Sequence, residues 1–161
     1  MKLRSLLALA LLAGLTSTLA AEQKPLRVLV VAGGCCHDYG AQKDILKKGI
    51  EARLNANVEV AYVDIKAPDF KGKATQPVFE IYKNADWAKN FDVVVHDECA
   101  ADITDQAYVA NIVNAHRNGL PAVNLHCAMH SYRTAGWNAG GVTPWFEFTG
   151  LQSSAHGAQL P

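Results

Sequence analysis

Three short segments gather most of this chain's histidines and all of its cysteines, groups that can move protons or bind metal ions. They are Gly33-Gly34-Cys35-Cys36-His37-Asp38-Tyr39, His96-Asp97-Glu98-Cys99 and His126-Cys127-Ala128-Met129-His130. Four of the six histidines and all four cysteines fall in them. Histidine titrates close to neutral pH, so it serves as a general base or acid and, unprotonated, as a metal ligand. His126 and His130 stand four residues apart, which on a helix puts both on one face, a spacing used by zinc sites. That pair is a candidate site for a divalent metal; no other cofactor is indicated. Cys127, next to His126, has the setting of a thiol activated by a base and a helix N-terminus. Against that, neighbouring side chains on a strand-to-helix turn diverge. Asp38, Asp97 and Glu98 are suited to orienting imidazoles or binding hydroxyl groups. Gly33-Gly34 lacks the G-x-G-x-x-G spacing and any Walker lysine, so it reads as a tight turn rather than a phosphate cradle.

The elements that would position these segments follow from the hydrophobic pattern. Arg27 to Ala32 is a short continuous β-branched run of the kind found in buried parallel strands. Ala41 to Leu54 places Ile45, Leu46, Ile50 and Leu54 on one helical face, with lysines opposite. Val58 to Val63 alternates as a second strand, and Phe91 to Val95 is a third, buried one. Between them, residues 65 to 90 are poorly patterned, with a short strand at Val78 to Tyr82. A helix is expected from about Thr104 to His116, capped by Asp102 or Thr104 and closed by Gly119-Leu120-Pro121. His116, near its end, is expected to cap carbonyls. Ala122 to Leu125 is a fourth strand, followed by a helix from Cys127 to Arg133. Strands alternating with amphipathic helices call for right-handed crossovers and a parallel sheet. In such sheets ligands bind beyond the carboxyl ends of the strands, where the strand order reverses. With a flavodoxin-like order, the three reactive segments converge there on one crevice.

Composition bounds the class of function. The chain has 161 residues, enough for one domain, and 50% of them are apolar. Residues 1 to 20 have the anatomy of a secretory signal: Lys2 and Arg4, an apolar run from Leu6 to Leu15, and small residues at Thr18-Leu19-Ala20. A membrane span needs roughly 20 apolar residues, so no stable anchor is expected once the signal is cleaved. The expected location is periplasmic or secreted. Lys2 and Arg4 leave with the leader, which makes the mature chain slightly acidic. Without a basic run it lacks the electrostatic footprint of nucleic-acid binding, and a small-molecule partner is expected instead. Export permits the four cysteines to pair, and none forms a C-x-x-C. Oligomeric state is not legible.

Several stretches together resemble the trehalose-utilisation (ThuA-like) family. They are Leu120 to Ser131 (L-P-A-V-N-L-H-C-A-M-H-S), the opening R-V-L-V-V-A-G-G-C-C-H-D-Y, the middle F-D-V-V-V-H-D-E, and the tail W-F-E-F-T-G with Ser153 and His156. The resemblance spans residues 26–161. It implies an α/β, flavodoxin-like, doubly wound parallel sheet similar to that of class I glutamine amidotransferases. In those enzymes a cysteine occupies the strained turn after a strand. By register Asn124-Leu125-His126 stands in the place of their Gly-Ile-Cys, so His126 replaces the nucleophile and amidotransferase chemistry is not implied. What is implied is a role in sugar metabolism, associated with glycosides oxidised to 3-keto sugars. ThuA-like domains continue past a segment such as Trp145 to Pro161 by at least a strand and a helix. The domain is therefore expected to be partial, with an exposed sheet edge.

Two functions follow as expectations. In the first, an enzyme acts on a sugar derivative, with His126 as general base or metal ligand and His37 and His130 as further catalytic candidates. Asp38, Asp97, Glu98 and His156 would bind substrate, and Trp137 and Trp145 either stack on a pyranose or belong to the core. In the second, the same crevice is a non-catalytic module that binds a carbohydrate or a metal ion. A thiol or redox role for Cys35-Cys36 with Cys99 or Cys127 stands as a third possibility.

Overall fold

The computed structural model describes residues 23–133, 142–151 and 153. The leader segment, Trp137 and His156 lie outside the described residues. No helix among those described is long and apolar enough to cross a membrane.

Four parallel strands form one sheet: β1 (Leu26–Gly34), β2 (Ala56–Val63), β3 (Val93–Cys99) and β4 (Ala122–Asn124), in the order β2-β1-β3-β4. This all-parallel α/β arrangement is compatible with a flavodoxin-like fold. Val28 to Ala32 of β1 are almost wholly enclosed, which explains why the strand reads as an unbroken apolar run. One face packs Val28, Val30, Ala32, Val58 and Val95 against Leu46 and Ile50 of α1 (Tyr39–Glu51). The other packs Leu29, Val31 and Val94 against Val109, Ile112 and Val113 of α2 (Gln106–Arg117). Trp145 and Phe146 of α3 (Pro144–Thr149) fill the same core. Helices thus cover both faces, and the strand order reverses between β1 and β3.

Several expected boundaries move, each for a local reason. The first helix starts at Tyr39 because Asp38 caps it, accepting from the Ala41 N–H at 3.0 Å. The second starts at Gln106, capped by Asp105 rather than Asp102 or Thr104; its carboxylate accepts from Ala107 N–H at 2.9 Å and Tyr108 N–H at 3.1 Å. Val78 to Tyr82 is not a strand. Phe79 and Tyr82 are core residues, and a 3-10 turn spans Glu80–Lys83. The helix expected from Cys127 to Arg133 is a 3-10 helix over His126–His130.

The most consequential difference lies in β3. It runs through His96, Asp97 and Glu98 to Cys99, paired in register with Val31, Ala32, Gly33 and Gly34 of β1. These residues are strand, not the loop beyond it. Successive side chains of a strand point to opposite faces, so Asp97 and Cys99 turn towards α1 while His96 and Glu98 turn into the α2 core.

Candidate active site

At the carboxyl ends of β1, β3 and β4, three donor groups from two segments meet. One nitrogen of His37, one of His126 and the Cys127 sulfur all lie within 4.8 Å of one another. The His37 Nε2 and Cys127 Sγ atoms are 3.1 Å apart, and the two imidazole rings meet edge to face with centroids 4.8 Å apart. His37 and His126 are exposed, whereas Cys127 is buried. His126 has φ +33, a left-handed conformation that a non-glycine residue holds only where the surroundings impose it. At the turn from β4 into the 3-10 helix His126 is left exposed while Cys127 is buried.

Beside His126 is a cavity of about 250 Å³ lined by Gln42, Ile45, Leu46, Asp97 and Leu125. Asp97 and Gln42 reach it from β3 and α1. Neither the buried Asp97 Oδ2 nor the buried Gln42 Oε1 has a hydrogen-bond partner, and the Tyr39 hydroxyl nearby is likewise unsatisfied. Burial, with the Glu98 carboxylate as a second cause, pushes the Asp97 carboxyl up to about 6. The same end of the sheet raises the Tyr39 hydroxyl, through burial and then the neighbouring Cys99 and Cys127 thiols. Cys99 is pushed up to about 12 by burial and by Cys127. A second cleft of about 220 Å³, lined by His37, Asp38, Tyr62, Asp64 and Lys66 among others, opens on the other side of His37. A cavity of about 580 Å³ lies at the opposite end of the sheet around Phe91, Asp92 and Pro121 and is lined by neither histidine nor cysteine.

Of the residues singled out in the sequence, His126, His37 and Asp97 therefore share one crevice. Asp38 lines the neighbouring cleft with its carboxylate engaged as the cap of α1. His130 does not join His126 in a donor cluster. Along a 3-10 helix residues three apart eclipse and those four apart do not. His130 is buried, and its Nδ1 donates to the Ser153 carbonyl at 3.1 Å. Trp145 is core, its indole N–H donating to the Ala128 carbonyl at 2.7 Å.

Glu98 is fully enclosed on the α2 side of the sheet, away from the crevice, and orients a different imidazole. Its Oε1 is 2.9 Å from His96 Nδ1 and accepts from the Tyr132 hydroxyl at 3.2 Å. The proton placement in this buried chain follows from its far end. His116 Nδ1 faces the Leu120 carbonyl at 2.8 Å and must donate to it. Burial, then the proximity of His96, lowers the His116 pKa to about 4, so its Nε2 is an acceptor at neutral pH. The donor to it is His96 Nε2, 3.0 Å away. His96 Nδ1, at the inner end, faces both Glu98 Oε1 and the Tyr82 hydroxyl, the latter at 3.3 Å. His116 does bind a carbonyl beyond its helix end, as expected, but it is also the terminus of this wire, which the sequence did not disclose.

Metal-binding capacity is present in two places among the described residues: the His37, His126 and Cys127 group, and a group of Cys35, Cys36 and Cys99. Cys35 and Cys36 form a disulfide, and Cys99 and Cys127 are free thiols. The chain matches no protein-family model, no curated protein and no solved structure.

Proposed function

We propose that this is an exported, ThuA-like domain of flavodoxin-like fold that acts on a keto-sugar or glycoside derivative in the His126 crevice. One observation carries the reading: the exposed His126 imidazole, with His37 against it, lines a small cavity whose buried oxygens, Asp97 Oδ2 and Gln42 Oε1, lack donors. Buried acceptors without partners are uncommon in folded proteins, and an occupant that donates hydrogen bonds, as sugar hydroxyls do, would satisfy them. At about 250 Å³ the cavity falls below the range of roughly 300–1,000 Å³ typical of drug-sized ligands, a size suited to one sugar ring. In the proposed reaction His126 takes the proton from the carbon next to the keto group. The C–H electron pair moves into the new carbon–carbon double bond, and the carbonyl pair moves onto oxygen. The proton held on the imidazole is then available for return to the product. Asp97, ionised above about pH 6, accepts a hydroxyl and fixes the ring against His126. His37 supports the same edge of the site from β1.

A second reading is favoured by the compactness of the donor group. Two imidazole nitrogens and a thiolate within 4.8 Å suit zinc or another borderline-soft divalent ion and do not suit calcium or magnesium, which take oxygen ligands. Such an ion, when bound, would supply Lewis-acid polarisation of a keto oxygen, or it would make the crevice a binding module without turnover. Turnover of a 3-keto glycoside by the full chain, set beside its metal content and that of His126→Ala, separates these readings. Loss of turnover with unchanged metal content supports the base. Loss of a bound metal ion with His126→Ala supports the ligand. Undiminished turnover in His126→Ala would remove that residue from the chemistry.

A further inference from the structure

We propose that Cys35, Cys36 and Cys99 form a redox-gated site for a thiophilic cation, closed by the Cys35–Cys36 disulfide and opened by its reduction. The site is separate from the His126 crevice reading and does not depend on it. Three sulfur atoms, two from the bend after β1 and one from the end of β3, converge here, all within 4.8 Å of one another, and Cys35 Sγ lies 3.6 Å from Cys99 Sγ. Zinc bound tetrahedrally by thiolates at about 2.3 Å holds its sulfurs about 3.8 Å apart, so the Cys35–Cys99 pair already has close to the spacing that such an ion requires.

The backbone is shaped for this approach. A Cβ on Gly34, at φ +107, would sit 2.2 Å from the Cys99 carbonyl oxygen. Only glycine lets the end of β1 lie against the end of β3 there. Cys36 follows at φ +85, an unusual conformation for a residue with a side chain. Cys99 is buried, Cys35 partly so, and Cys36 is exposed, so a reductant reaches the disulfide from the solvent side. No carboxylate or imidazole belongs to this group of three, and an all-sulfur donor set selects soft or borderline cations.

The chemistry balances with a dithiol as reductant. One thiolate of the dithiol attacks a sulfur of the Cys35–Cys36 bond, and its second thiol resolves the mixed disulfide. The reagent leaves as its own disulfide and two protein thiols remain. A divalent cation then displaces the protons of Cys35, Cys36 and Cys99 and is held by three thiolates. In the oxidised form Cys35 and Cys36 are bonded to each other, and Cys99 alone cannot hold the ion.

The test uses the purified full chain in air-oxidised form and after treatment with a dithiol that is then removed anaerobically. Free thiols are counted in denaturant and cadmium is titrated as the probe. Reduction is expected to raise the free thiols from two to four and to add about one tightly bound cadmium per chain, with a thiolate-to-metal charge-transfer band. After the same dithiol treatment, Cys36→Ser and Cys99→Ser should each bind one tight cadmium fewer than the reduced parent. His126→Ala should retain the equivalent added by reduction, whatever becomes of any cadmium bound without reduction. The proposal is overturned if reduction adds no cadmium to the parent, if treated Cys36→Ser binds as much tight cadmium as the reduced parent, or if four thiols are free before reduction.

Discussion

Replacing Asp97 by asparagine removes a carboxyl whose ionisation this fold resists, and the effect on stability should depend on pH in a specific way. The carboxyl titrates near 3.8 when unfolded and at about 6 in the fold. Between those values the folded state holds a proton that the unfolded state has lost, so Asp97 makes stability fall as pH rises. The gap corresponds to about 3 kcal/mol at 1.36 kcal/mol per pH unit. His116 acts in the opposite sense. Its pKa drops from 6.5 to about 4 on folding, so between those values the unfolded state holds the extra proton and stability rises with pH, again by about 3 kcal/mol. From pH 4 to 6 the two slopes oppose each other and nearly cancel. Asp97→Asn should leave the His116 slope uncompensated, about 1.4 kcal/mol per pH unit across that window. Urea unfolding of both proteins at pH 4, 5, 6 and 7 measures this, and exposed carboxylates common to both drop out of the difference. Relative to the parent, the variant should gain about 3 kcal/mol between pH 4 and pH 7. A difference between the two proteins that stays constant over that range would refute the assignment of a raised pKa to Asp97.

Three other substitutions probe the supports of the site. Glu98→Ala leaves His96 Nδ1 without its buried carboxyl partner; a loss of about 3–5 kcal/mol is expected in denaturant unfolding, and a loss under about 1 kcal/mol would show that the pair is not coupled. Gly34→Ala puts a Cβ against the Cys99 carbonyl and should cost at least about 1–3 kcal/mol while altering thiol reactivity at Cys99, read by timed alkylation. Asp105→Ala removes the cap of α2 and should cost about 1 kcal/mol without changing ligand binding in the crevice.

How much of this was legible in the sequence depended on the kind of signal each part carries. The buried strand at Val28 to Ala32 and the stripe of Val109, Ile112 and Val113 follow from hydrophobic periodicity, which local sequence displays directly. The placement of His37 and His126 at one crevice followed from the rule for parallel sheets. The far half of β3 was hidden because His-Asp-Glu-Cys is too polar to resemble a strand. Its buried polar groups are joined by contacts running from His116 through His96 to Glu98 Oε1, while Glu98 Oε2 is left without a partner. Continuing the facing alternation of a strand past Val95 puts Glu98 on the Val94 side, away from the crevice. The contact between His37 and Cys127 spans 90 positions and depends on a 3-10 turn in place of the expected helix. The same turn separates His126 from His130. Neither the spacing nor the residue types reveal that choice, because both helix forms bury similar apolar positions over a single turn.

The central claim is that His126 removes a proton from carbon beside a keto group. Incubating a 3-keto glycoside with the full chain in deuterium oxide and following the carbon-bound hydrogens next to the carbonyl by proton NMR tests it directly. Protein-dependent exchange of one such hydrogen is expected, slowed by about 10²- to 10⁴-fold in His126→Ala while the variant's unfolding midpoint stays near that of the parent. Exchange at the same rate in parent and variant, or none above buffer in either, would contradict it.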